Sequence, residues 1–142
     1  MRIGMEPNIE TRSTPRRRRD PSGTAIKAML NIAAKWALTE SDIGTLMGGV
    51  SIPTVRRWKR QLRDTGRVQS PLGRDQLDRV SYLLGIYKAL HILFPDPSQA
   101  DGWVRRANNG AGFEGRSALD VMRQGGMEDL RQVRRYLDGW RG

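Results

Sequence analysis

The 142-residue sequence predicts an all-α fold. Apolar residues recur at the 3.6-residue helical period in successive stretches from Thr24 onward. Serine, threonine or aspartate stands where most of these stretches begin, and glycine or proline stands where they end. These signals divide the chain into a basic arm at 1–23, a helical domain at 24–66, a linker at 67–74 and a second, small helical domain at 75–142.

The charge of the chain indicates a polyanionic partner. The formal net charge is +10 and the isoelectric point is near 11.1. Residues 24–70 hold eight Lys and Arg against three Asp and Glu, so the excess is concentrated there. Nucleic acid is the first expectation and an anionic membrane surface the second. The sequence shows neither an apolar run long enough for a membrane span nor a secretory leader, which predicts a cytoplasmic protein.

The residue types needed for catalysis are scarce. The chain has no cysteine and one histidine, His91, which on an apolar helix is expected to be a packed side chain. No phosphate-binding glycine loop, metal-ligand cluster or nucleophile with a neighbouring base is present. The sequence therefore predicts a binding protein, not an enzyme, with no cofactor and no metal site.

The basic arm contains Pro7, Pro15 and Pro21 and the run Arg16–Arg19, with almost no apolar periodicity. Such a segment cannot bury enough surface to order itself, so we predict that it is disordered. Two roles stay open: it follows a DNA backbone or minor groove, or it only keeps the protein soluble.

Residues 24–66 are predicted to form three helices, the last two joined by a tight turn at Gly48-Gly49. Ser51 is the predicted cap of the third helix, with Pro53 in its first turn. The residues predicted to face the core are Ile26, Met29, Leu30, Ala33, Trp36, Ala37, Ile43, Leu46, Met47, Val55, Trp58 and Leu62.

The arrangement is typical of a helix-turn-helix, whose second motif helix lies in the DNA major groove. The side chains left on the outer face are the predicted DNA-binding residues: Ser51, Thr54, Arg56, Arg57, Lys59 and Arg60. Ser51, Thr54 and Arg57 are the base-edge candidates, because they lie towards the helix N-terminus. The competing interpretation is a solvated basic helix in an ordinary bundle.

The second domain begins with a long helix, Asp75 to Phe94, that is apolar on two faces. A helix of this kind needs a cover on both faces. We predict that one face, formed by Tyr82, Ile86, Ala89 and Leu93, is a dimer interface. The alternative is that the later helices of the same chain cover it.

The remaining helices are separated by one glycine-rich loop. A helix is predicted from Asp96 to Ala107, a brief one from Ser117 to Met122, and a last one from Met127 to the C-terminus. The loop from Asn108 to Gly115 contains a single aromatic, Phe113, which anchors it either to its own core or to a partner. Trp140, close to the chain end, suggests docking into a partner, although packing on the preceding helical turn is the simpler account.

The second domain also carries a family resemblance. The pattern Trp103…Asn108…Phe113-x-Gly115-Arg116-Ser117-Ala118-Leu119-Asp120…Gly126…Val133…Leu137 resembles the toxin-binding domain of Xre/MbcA/ParS-like antitoxins. The resemblance implies a type II antitoxin that binds and shields a RES-domain toxin, an enzyme that consumes NAD or transfers ADP-ribose from it. It also implies that the antitoxin represses its own operon through the helix-turn-helix; the homodimer is predicted separately, from the two apolar faces of the helix from Asp75 to Phe94.

By this resemblance, the expected toxin-binding residues are Trp103, Asn108, Phe113, Arg116, Arg135, Trp140 and Arg141. The last three are expected near the NAD site of the toxin. A second interpretation stays open, a helix-turn-helix transcriptional repressor whose C-terminal domain dimerises or senses a small molecule.

Overall fold

The computed structural model describes residues 20–141, and the all-α prediction is confirmed. The helices of this part of the chain are α1 (Ser22–Trp36), α2 (Glu40–Leu46), α3 (Ile52–Thr65), α4 (Arg74–Leu93), α5 (Pro97–Gly102), α6 (Ala118–Met122) and α7 (Met127–Arg141), with a 3-10 turn at Trp103–Arg105. Because α1 begins at Ser22, the last two residues of the predicted disordered arm are helical. Residues 1–19 of that arm lie outside the described residues. No described helix is both long and apolar enough to cross a membrane.

Helices α2 and α3 and the turn between them form the predicted helix-turn-helix. Thr39 and Asp42 form a reciprocal capping box at the start of α2. Gly48 and Gly49 have φ angles of +90° and +105°, which glycine adopts without steric strain. Gly44, inside α2, has no room for a side chain because the carbonyl of Val50 lies against it. The turn therefore folds back closely over α2.

Helix α4 lies at the centre of the molecule and packs against α1 and α7. Leu83, Ile86 and Leu90 are each 0 % exposed. The apolar core is continuous across both predicted domains, and the segment 67–74 lies on α1, since Leu72 N donates to Ser22 Oγ at 2.8 Å. The division into separate domains stays a prediction.

The helix predicted from Asp96 to Ala107 is shorter than expected. Helix α5 ends at Gly102, and the backbone then tightens into the 3-10 turn. Ala107 is exposed, and it pairs with Ser117 in an isolated antiparallel bridge. The reason is that the loop after Ala107 must return to the start of α6, which draws Ala107 out of the helix.

One buried arginine joins the first helices to the last ones. Arg79, on α4, is 8 % exposed, and its Nε donates to Asp75 Oδ2 at 2.8 Å. Its Nη1 donates to the carbonyl oxygen of Gly125 at 2.8 Å and to that of Leu46 at 3.4 Å. One guanidinium thus satisfies a carbonyl at the end of α2 and another in the turn between α6 and α7.

Two further arginines make similar connections. Arg105 donates from Nε to the carbonyl oxygen of Trp36 at 3.0 Å and from Nη2 to that of Ala37 at 2.7 Å, which caps the end of α1. Arg123 donates to both carboxylate oxygens of Asp42 at 3.0 and 3.2 Å. The helix-turn-helix is therefore fixed to the C-terminal helices by polar contacts as well as by the core.

Candidate nucleic-acid and protein interfaces

The start of α3 is shaped by Ser51 and Thr54. Ser51 Oγ accepts a hydrogen bond from Thr54 N at 3.3 Å and forms a second one with Thr54 Oγ1 at 2.9 Å. The predicted cap is therefore present. Ser51 is exposed and Thr54 is half-buried, at the end of the helix where a helix-turn-helix meets base edges.

Two of the predicted DNA-binding cations share an acidic partner. Arg56 Nε lies 2.9 Å from Glu40 Oε1, and Lys59 Nζ lies 3.7 Å from Glu40 Oε2. The hydrogen bond from Arg56 lowers the pKa of Glu40 below its ordinary value. These contacts hold α3 against the first turn of α2 and partly neutralise both cations.

Arg57 and Arg60 are the cations of α3 that have no acidic partner among residues 20–141. Both are exposed, and neither forms an ion pair with another residue in the described range 20–141. On the opposite side of the helix, Val55 is 0 % and Trp58 is 2 % exposed, which fixes the rotation of α3. The cationic face is therefore turned to solvent, as a DNA-reading helix requires.

A second surface is an apolar groove beside α7, and it holds about 260 Å³. Its lining residues, which define the aromatic groove, are Leu93, Phe94, Trp103, Tyr136, Leu137 and Trp140. Tyr136 stacks on Trp103 with ring centroids 6.2 Å apart and meets Phe113 edge-on at 4.9 Å. Trp140 is 67 % exposed.

The side chains of the loop from Asn108 to Gly115 and of the following Arg116 make contacts within the chain. Phe113 is 0 % exposed, so its predicted contact with a toxin is corrected: its side chain anchors the loop to the core. Asn108 Oδ1 accepts from Gly110 N at 2.6 Å. Arg116 donates from Nε to the carbonyl oxygen of Phe113 at 3.1 Å and from Nη1 to Gln124 Oε1 at 3.1 Å. Asn108 and Arg116 thus shape the loop, and their contact with a toxin stays a prediction.

The predicted dimer face is largely inside the molecule. Ile86 and Ala89 are each 0 % exposed, so both are corrected from interface residues to core residues. The helices α1 and α7 cover α4, so the cover comes in part from a later helix, as the alternative held, and in part from the earlier α1. Tyr82 accepts a hydrogen bond from Arg131 Nε at 3.0 Å, and Leu93 lines the aromatic groove.

Two cations of α7, Arg135 and Arg141, are exposed to solvent. Arg135 Nη2 lies 2.7 Å from Glu128 Oε2, and the two side chains are 63 % and 65 % exposed. Arg141, the last described residue, is also exposed. The remaining predicted toxin-binding residues, Trp103, Arg135, Trp140 and Arg141, are thus at least partly accessible, and their role stays a prediction.

Sequence reasoning missed the arginines that join the helices. Arg79, Leu83, Ile86 and Leu90 share one helical face, so an arginine within an apolar stripe was the available signal for a buried cation. Arg105 and Arg123 gave no such signal, because their acceptors lie far away in the sequence.

The fold is that of a helix-turn-helix protein with a second helical unit, which carries an apolar groove. A family model described as "Antitoxin Xre-like helix-turn-helix domain" matches residues 15–85, and one described as "Antitoxin Xre/MbcA/ParS C-terminal toxin-binding domain" matches residues 89–142. The chain is also 39 % identical over 117 residues to "Uncharacterized protein y4oB" of Sinorhizobium fredii (strain NBRC 101917 / NGR234), across 82 % of this chain and 84 % of that protein. The chain belongs to the Xre/MbcA/ParS family of type II antitoxins.

Proposed function

We propose that this antitoxin neutralises a RES-domain toxin, which consumes NAD or transfers ADP-ribose from it, and represses its own operon. The observation that carries the proposal is the presence of two separate surfaces in one chain. The exposed cations of α3 suit DNA, and the aromatic groove within the matched toxin-binding region suits a protein.

The DNA half of the proposal assigns different tasks to the residues of α3. Arg57, near the helix N-terminus and free of ion pairs within residues 20–141, reads a base edge, since arginine bonds guanine O6 and N7 in a bidentate manner. Arg56, Lys59 and Arg60 contact phosphates, with Ser51 and Thr54 beside the bases. Because helix-turn-helix proteins commonly read two half-sites, we propose that the repressor is a homodimer.

The toxin half of the proposal uses the last helix. Trp140 and Arg141 are the last two described residues, and Arg135 lies five residues before Trp140 on α7. By resemblance to the family, this end of the molecule covers the NAD site of the toxin and keeps substrate out. The antitoxin then acts by occlusion and performs no chemistry of its own.

The proposal is tested by expressing the protein encoded beside this chain, alone and together with it. Alone, that protein should stop growth and deplete cellular NAD; co-expression from a separate promoter should restore both. An Arg57→Ala/Arg60→Ala variant should still restore growth, but it should no longer repress transcription from the operon promoter. Arrested growth with unchanged NAD would contradict the RES assignment, and arrest that the chain does not relieve would contradict neutralisation.

A further inference from the structure

The aromatic groove is a preformed surface rather than a loose cluster. Leu137, at its floor, is 1 % exposed, and Tyr136 packs against the rings of both Trp103 and Phe113, which also contact each other. Trp140 forms the rim, with its ring centroid 6.2 Å from that of Tyr136. A groove whose floor is already ordered binds a partner with little loss of conformational entropy.

The size of the groove favours a side chain over a small molecule. Its volume of about 260 Å³ lies below the roughly 300–1,000 Å³ that small-molecule sites commonly have. Its lining is apolar or aromatic, and the polar side-chain groups of the six residues are the Tyr136 hydroxyl and the indole N–H groups of Trp103 and Trp140. One or two large apolar side chains of a protein partner match this space.

The rim of the groove is cationic. The guanidinium of Arg106 lies 5.8 Å from the centre of the Phe94 ring. On the other side of Trp140, a shallow depression is lined by Arg135, Tyr136 and Gly139. No acidic residue lines either the groove or this depression. In the salt bridge between Arg135 and Glu128 both side chains are exposed, so the bridge contributes little to stability. Arg135 can therefore exchange Glu128 for a carboxylate of a partner.

We propose that the aromatic groove is the socket for one segment of the toxin, in which a large apolar side chain is flanked by Asp or Glu. The apolar side chain inserts beside Trp140, and the carboxylates pair with Arg106 and Arg135. This inference rests on the proposed function, namely that the chain binds a toxin. It assigns binding roles to Phe94, Tyr136 and Leu137 and moves Leu93 from a dimer face to the toxin socket. Exposed tryptophan and arginine around a preformed pocket are the residue types that dominate interface energetics.

The first experiment titrates the purified toxin against the full-length chain by calorimetry. Trp140→Ala should weaken binding by about 30-fold or more, the effect of losing one interface hot spot. Ile92→Ala is the matched control, since Ile92 is an equally apolar side chain, 60 % exposed and outside the groove, and should change affinity by less than about 3-fold. Both side chains are exposed, so thermal unfolding of the free chain should not change appreciably.

The second experiment tests the charge of the rim. Arg106→Glu and Arg135→Glu should each slow association and weaken binding by about 10-fold at low salt, whereas Lys88→Glu, the same charge change on the exposed face of α4, should have little effect. Overlapping peptides of the toxin should identify a binding segment with an apolar residue beside acids. Changing one of these acids to Lys should restore affinity for Arg135→Glu.

The outcomes separate the socket from the proposed function. If the toxin binds the wild-type chain and Trp140→Ala equally well, the aromatic groove is not the toxin-binding socket, but the proposal that the chain binds a toxin is supported. If the toxin binds neither chain, both proposals are wrong. If Trp140→Ala dissociates a homodimer while toxin affinity is unchanged, the occupant of the groove is a second copy of this chain, and the socket is again wrong.

Discussion

Arg123 donates two hydrogen bonds to the carboxylate of Asp42, at 3.0 and 3.2 Å, across 81 residues of sequence. Asp42 also accepts from Thr39 N at 3.1 Å, as part of the capping box of α2. The same carboxylate therefore begins a helix of the DNA-binding motif and holds the end of α6. The side chain of Asp42 is 12 % exposed and that of Arg123 is 38 % exposed, so the contact is partly shielded from solvent.

The first prediction concerns the acid stability that Asp42 contributes. Burial alone would raise the pKa of Asp42, but the hydrogen bonds from Arg123 and Thr39 and the charge of Arg123 hold it below the ordinary value of 3.8. A lowered folded-state pKa stabilises the fold above 3.8, and this stabilisation is lost as the pH falls from 3.8 through the folded-state value. Asp42→Asn should therefore lower the free energy of unfolding by about 1–2 kcal/mol at neutral pH and by much less in strong acid.

Urea unfolding at a series of pH values measures this effect. Asp64→Asn is the matched control, because Asp64 pairs with Arg63 at 3.1 Å but both side chains are more than half exposed. Its effect should stay below about 0.5 kcal/mol. An equal loss of unfolding free energy in the two variants would show that the contact between Asp42 and Arg123 stabilises the fold no more than an exposed surface pair does.

The second prediction compares the two glycines of the turn. Both have a positive φ, so alanine strains the backbone at either position. A Cβ on Gly48 would lie 2.9 Å from Arg79 Nε and 3.1 Å from Asp75 Oδ2, whereas a Cβ on Gly49 would meet nothing within 4 Å. Gly49→Ala should cost about 1–2 kcal/mol of unfolding free energy, and Gly48→Ala about 1–2 kcal/mol more.

The difference in unfolding free energy between Gly48→Ala and Gly49→Ala measures how closely Arg79 packs over Gly48. Both glycine variants should also be made in an Arg79→Ala background. There, the difference between their unfolding free energies should shrink, because the side chain that clashes with the new Cβ at position 48 is gone. Equal unfolding free energies for the two single variants in the wild-type background would contradict the close packing of Arg79 over Gly48.

Local signals made the helix-turn-helix predictable. Ser51 and Pro53 mark the start of α3, and the spacing of Val55, Trp58 and Leu62 fixes which side faces inward. All of these signals lie within about three helical turns of each other. The helix and its exposed cationic face could therefore be read from a short stretch of sequence.

Contacts between distant segments could not be predicted in the same way. Whether Ile86 and Ala89 face a second chain depends on how α1 and α7 pack against α4, which helical periodicity does not encode. Likewise, the sequence offered two anchors for Phe113, and the rings of Trp103 and Tyr136 decide between them. The aromatic groove was missed for this reason, because its walls come from three separate segments.

The third prediction concerns specific DNA recognition by Arg57. If Arg57 reads a base, Arg57→Ala should weaken binding to the operator by about 1–3 kcal/mol and leave binding to random DNA nearly unchanged. Fluorescence anisotropy with labelled operator and random duplexes measures both values. Arg63→Ala is the control, because Arg63 lies in the last turn of α3 and pairs with Asp64. An equal loss on both duplexes would show that Arg57 contacts only phosphate.

The fourth prediction is the salt dependence of DNA binding. If roughly six phosphates are neutralised by the basic half of the chain, log K should fall with log salt with a slope of about −5, because each contact releases condensed counterions. Arg60 is exposed and free of ion pairs among the described residues, so Arg60→Ala should reduce the slope by about 1. Arg56→Ala should reduce it by less, since Glu40 already neutralises part of the Arg56 charge. A slope near zero for the wild-type chain would contradict DNA binding by the cationic face of α3.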